Sequence, residues 1–74
     1  MTKLLHIGLI GAGRIAQAHA ATVAYRISNA HLVTVTDPVT SAVEALAAKF
    51  RIPTIAPSYQ AILADPQIDA ILIC

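Results

Sequence analysis

The residues in this chain best suited to chemistry are Gly11, Gly13 and Asp37. Gly11-Ala12-Gly13-Arg14-Ile15-Ala16 reads G-x-G-x-x-A, follows the apolar run Leu5 to Ile10 and opens an alanine-rich segment. Glycine at the first position permits a tight turn, and glycine at the second leaves no side chain between the backbone and an approaching anion. A small residue at position 16 lets a following helix lie close to the strand, and alanine meets that need. At a helix start the backbone N–H groups near Arg14 and Ile15 have no intrahelical partners, and the helix dipole adds to their pull on a pyrophosphate. Asp37 closes a second apolar run, Leu32 to Thr36, 21 residues beyond Ala16. A carboxylate there accepts hydrogen bonds from both hydroxyls of an unmodified ribose and repels a 2′-phosphate. Pro38 and Val39 supply no arginine to compensate such a phosphate, so the pattern predicts NAD rather than NADP.

The other reactive side chains carry less. Arg14 stands either beside the phosphates or in solvent. Asp-Pro is a common turn opener, so Asp37 has a local structural role open to it as well. His6, His19 and His31 lie 13 and 12 residues apart, and none forms a short ligand pair with Cys74, so no metal site is expected. His19, one turn below the glycine loop, reads as a packed or hydrogen-bonded helix histidine rather than a site residue. Cys74 falls at the end of an apolar run, where cofactors cross sheets of this kind, although buried cysteine is usually packing. No acid–base constellation for hydride transfer lies within residues 1–74, so no catalytic residue is assigned.

Strands and helices alternate around these residues, the pattern of βαβ units on a parallel sheet. The first strand is Leu5 to Ile10, a nearly continuous apolar run suited to cover on both faces. A helix follows from about Arg14 to Ile27, closed by Ser28-Asn29. The second strand is His31 to Thr36. A second helix runs from about Val39 to Phe50, with Val43, Leu46, Ala47 and Phe50 on one stripe. Pro53 and Pro57 bracket a short third strand, Thr54 to Ala56, which suits a sheet edge. Ser58 is a candidate N-cap for a short helix carrying Tyr59, Ile62 and Leu63 and stopped before Pro66. Ala70 to Cys74 reads as a fourth, buried strand. Right-handed crossovers give the order 3-2-1-4, an incomplete doubly wound α/β sheet of the Rossmann type. Its fourth strand would show an open apolar edge, so Cys74 reads as a truncation point.

Composition agrees with a piece of a larger body. The chain has 74 residues, of which 57% are hydrophobic and only 12% charged, while a domain this small buries only about 60% of its unfolded surface. Its net charge is +1, with Lys3, Arg14, Arg26, Lys49 and Arg51 scattered and three aromatics in all, which offers no surface for nucleic acid. No uncharged stretch reaches the roughly 18–20 residues of a membrane span. Residues 4–13 lack a signal-cleavage pattern. A single cysteine excludes an internal disulfide framework and fits a reducing cytoplasm.

Taken together, Ile7 to Ala16, His19-Ala20, Tyr25-Arg26-Ile27, Thr34 to Pro38, Ala45-Leu46-Ala47 and Ile62 to Cys74 resemble the N-terminus of the glucose–fructose oxidoreductase / inositol dehydrogenase family. Within it they are most similar to the bacterial inositol 2-dehydrogenase branch. The resemblance covers the whole chain and departs from the common pattern at Ala16, where glycine is usual. It implies a cofactor-binding N-terminal Rossmann domain, followed by an α+β domain that shapes a polyol or sugar site and a homo-oligomer interface. Members pass hydride from a secondary alcohol to NAD or NADP. By position, Gly11, Gly13, Arg14 and Ile15 match the pyrophosphate turn, Asp37 the ribose carboxylate, and Cys74 the strand end before a loop that passes the cofactor. The family's catalytic Glu-Lys-Pro motif and its later Asp and His fall beyond residue 74. A non-catalytic NAD-binding sensor is the rival expectation, while a methyltransferase would want glycine at position 15, where Ile15 stands.

Overall fold

A computed structural model describes residues 4–74. In chain order the elements are β1 (Leu5–Ile10), α1 (Arg14–Arg26), β2 (Ala30–Thr36), α2 (Thr40–Phe50), β3 (Thr54–Ile55), α3 (Tyr59–Leu63) and β4 (Ala70–Ile73). All pairings are parallel, and the spatial order is β3-β2-β1-β4, as the alternation of strand and helix patterns predicts. Boundaries differ from the sequence reading by a residue or so. Ile27 and Val39 are extended caps rather than helical residues, and Ala56 leaves the ladder after a two-residue β3.

The faces of β1 are divided by residue type. Ile7 and Leu9 point into a core shared with Ala16, Ala20 and Val23 of α1 and Val43, Leu46 and Ala47 of α2. The buried stripe of α1 is mostly alanine, whose small side chain favours helix and brings the helix axis close to the sheet. Gly8 faces the other way. A Cβ built there would lie 2.7 Å from Ile62 Cγ2 and 3.1 Å from Ile68 Cδ1, so the bare glycine lets α3 settle on the sheet. Helices therefore cover both faces.

Strand β2 carries one irregularity. Ile7 pairs with Leu32 but Gly8 pairs with Thr34, leaving Val33 as an extra residue in a bulge. The bulge shifts the side-chain alternation by one. As a result Leu32 and Val35, three residues apart, both join the core, while Thr34 and Thr36 are buried on the α3 face beside Gly8 and Ile10. Thr36 is accommodated there by donating its hydroxyl to the Ala56 carbonyl at 2.9 Å.

Two packing expectations need correction. The fourth strand is not buried, since Ala70 is exposed, Ile71 and Leu72 are half-buried and Ile73 is 77% exposed. The physical reason is the open edge that the 3-2-1-4 order predicts: β4 pairs with β1 and presents its other side to solvent. Phe50, at the end of the α2 stripe, is half-buried. It meets the exposed Tyr25 ring at 6.0 Å, with Lys49 Nζ 5.4 Å from its own ring centre. The other α2 stripe residues are buried, and β3 is an edge strand as its flanking prolines predict.

Candidate cofactor site

At the C-terminal ends of β1 and β2 the chain makes two turns that touch. Gly11 leaves β1 with φ +115, a conformation open to glycine and strained for side-chain-bearing residues. A Cβ there would also sit 2.8 Å from the Cys74 carbonyl oxygen. The Gly11 N–H donates to Thr36 O at 2.8 Å, joining the turn to the end of β2. Gly13 is the N-cap of α1 and has an ordinary φ of −81. A Cβ built on it would meet nothing within 4 Å, so the space above it is open. No side chain caps α1. Its first-turn N–H groups, at Arg14, Ile15 and Ala16, therefore face that space without intrahelical partners. No acidic residue sits in this first turn to neutralise the positive end of the helix dipole.

Asp37 lies across from the glycine turn and spans it. Its Oδ2 accepts from the Ala12 N–H at 2.8 Å, and its Oδ1 accepts from the Val39 N–H at 2.8 Å. The second contact is the local aspartate turn that the Asp-Pro pair favours. The first reaches 25 residues back along the chain. A carboxylate offers about four acceptor positions, so two remain for a ligand.

A cavity of about 500 Å³ opens between the two turns and the segment after β3. Its walls are Ile10, Gly11, Thr36, Asp37, Pro38, Pro57, Ser58, Tyr59, Gln60 and Cys74. The size is in the usual range for a small-molecule site, and the lining is largely apolar around one carboxylate. Ser58 does cap α3, accepting from the Ala61 N–H at 3.3 Å. Cys74 is exposed at the rim, and its N–H donates to Ile10 O at 2.9 Å.

Of the residues singled out in the sequence, Gly11, Asp37 and Cys74 line this cavity, while Gly13, Arg14 and Ile15 form the uncapped helix start beside it. Arg14 and Ile15 are exposed. His19 is exposed on α1, at the edge of the face that Ala16, Ala20 and Val23 bury. Among the described residues no three His, Cys, Asp or Glu side chains gather as a metal would require. No described helix is long and apolar enough to cross a membrane. The cavity wall formed by Pro57 to Gln60 was not singled out as part of a site. The available signal was topological, since in such sheets ligands sit beyond the carboxyl ends of the strands, where the loop after β3 must also lie.

Comparison with known proteins decides the family. Residues 5–74 match the family model GFO/IDH/MocA, an oxidoreductase family with an NAD-binding Rossmann fold. The chain belongs to this family. It is 38% identical over 74 residues to the uncharacterized oxidoreductase YrbE of Bacillus subtilis, covering all of this chain and 21% of that protein. To the inositol 2-dehydrogenase of Acidothermus cellulolyticus it is 35% identical over 71 residues, covering 96% of this chain and 21% of that protein. Its fold matches the crystal structure of myo-inositol dehydrogenase from Lactobacillus casei in complex with NAD(H) and myo-inositol. There the TM-score is 0.90 and the identity 30%, over 96% of this chain and 21% of that one. The chain thus spans about a fifth of the length of the relatives it matches.

A dinucleotide fits what the residues offer. The open space over Gly13 would admit a pyrophosphate, and the uncapped N–H groups would be its donors. The two remaining acceptor positions of Asp37 equal the two hydroxyls of a ribose.

Proposed function

We propose that this chain grips the adenosine and pyrophosphate of NAD for a dehydrogenase that oxidises a secondary alcohol of a cyclic polyol of the inositol kind. Gly11, Gly13, Arg14 and Ile15 receive the pyrophosphate, Asp37 receives the ribose hydroxyls, and Cys74 borders the path toward the nicotinamide. When bound, the nicotinamide accepts the hydride. The chain's own part is to bind and orient: backbone N–H groups hold the phosphates, and the carboxylate fixes the ribose and disfavours a 2′-phosphate. Substrate contacts and proton transfer are assigned to residues outside 1–74, in a substrate domain that also carries the oligomer interface. The polyol class rests on the inositol dehydrogenases among the relatives.

The observation that carries this reading is the Asp37 carboxylate, held at the cavity rim opposite an uncapped helix start. Titration calorimetry on the full-length protein tests it. Asp37→Ala should weaken NAD binding more than NADP binding, because only NAD loses a ribose clasp and only NADP is relieved of repulsion. Equal losses would remove Asp37 from the ribose.

A further inference from the structure

We propose that Asp37 also acts as the positioning residue of the glycine turn, holding it in its phosphate-receiving shape before any ligand arrives. The Ala12 residue is 2% exposed, and its N–H donates to Asp37 Oδ2 at 2.8 Å. Ala12 lies between Gly11 and Gly13, the two residues with least intrinsic backbone preference in the segment. Gly11 N–H is tied to Thr36 O, one residue before Asp37, so the turn hangs from the end of β2 by two consecutive bonds. Remove the carboxylate and the Ala12 N–H loses its partner in a buried setting, which favours conformations that turn it to water. Those conformations move Gly13 and the first N–H groups of α1 away from the phosphate position. The inference deepens the reading of Asp37 as the ribose carboxylate and rests on it for the ligand's identity. It predicts that any exchange of Asp37 to admit a 2′-phosphate loosens the pyrophosphate grip as well.

Asp37→Ala, read by hydrogen exchange and by a probe without a ribose diol, separates the two roles. In Asp37→Asn the side-chain amide has a single acceptor oxygen for the Val39 and Ala12 N–H groups, so one of the two faces its NH₂, whereas Asp37→Ala removes both acceptors and leaves the Ala12 N–H without its partner. In the ligand-free full-length Asp37→Ala protein, hydrogen exchange at the Ala12 amide should speed up at least about fivefold, with the Leu9 amide in β1 unchanged. The binding probe is 2′,3′-dideoxyadenosine 5′-diphosphate, which carries adenine and a pyrophosphate but no ribose diol. Its affinity should fall at least about fivefold in Asp37→Ala. Unchanged Ala12 exchange overturns the proposal. So does unchanged probe affinity, or equal acceleration at Leu9, which would report general loosening. If the wild-type protein does not bind the probe, the ligand reading fails. Ala12 exchange then still decides the brace.

Discussion

Gly13→Ala is expected to leave the fold standing while weakening dinucleotide binding. Gly13 has φ −81, which any residue adopts, and a Cβ there meets no atom within 4 Å. Two small effects on stability oppose each other. Alanine narrows the unfolded ensemble, stabilising by about 0.4–1 kcal/mol, but it is the poorer N-cap by a similar amount. Net stability should stay within about 0.5 kcal/mol, a shift in Tm of no more than about 2 °C in a full-length protein of its relatives' size. The new methyl group, however, stands in the space a phosphate needs in order to reach the uncapped N–H groups of α1. Losing one charge-assisted hydrogen bond costs about 1.5–3 kcal/mol, a Kd for NAD roughly ten- to a hundredfold higher. Gly11→Ala provides the contrast. Its φ of +115 and the 2.8 Å approach to Cys74 O predict strain of about 1–3 kcal/mol before any ligand is considered. Thermal unfolding and titration calorimetry on both full-length variants measure the two effects. An unchanged Kd for Gly13→Ala would refute the approach of phosphate over Gly13, and a Tm loss equal to that of Gly11→Ala would refute the division of labour.

Two further variants test the framework that carries the site. Gly8→Ala pushes a methyl into Ile62 Cγ2 at 2.7 Å and should cost about 1–3 kcal/mol in denaturant unfolding. Adding Ile62→Leu, which lacks that branch methyl, should return part of the loss, and no recovery would count against the overlap as the cause. Thr36→Val leaves the Ala56 carbonyl without its 2.9 Å donor and should destabilise by about 1–3 kcal/mol. A neutral effect in the same assay would mean that water replaces the hydroxyl.

The parts of this molecule legible in its sequence are those where a residue type has one physical use. Gly11 and Gly13 signal a turn and an open approach, Ser58 signals a cap, and Pro53 and Pro57 signal an edge. Strand order followed from the handedness of the crossovers. What stayed hidden depends on partners distant in the chain. The bond from Ala12 N–H to Asp37 is invisible because a backbone N–H has no letter of its own. Tyr59 and Gln60 reach the cavity only because β3 lies beside β2. The exposure of Ile73 goes with the open β4 edge that the strand order implies, although the apolar run Ala70 to Cys74 taken alone reads as a buried strand.

The bulge at Val33 bears on how such sites can be spaced. Before it, β1 residues pair with partners 25 positions later, and after it with partners 26 positions later, so Thr36 comes level with Ile10 and Asp37 follows opposite the glycine turn. A straight strand holding the same residues would slide Thr34 to Thr36 by one place and turn Val35 away from the core. A strand one residue shorter, without the bulge, would deliver the carboxylate to the same spot. Chain length between turn and acid is therefore elastic by one residue while the gap in space is not: the bulge absorbs the extra residue, and the bond from Ala12 N–H to Asp37 closes across it.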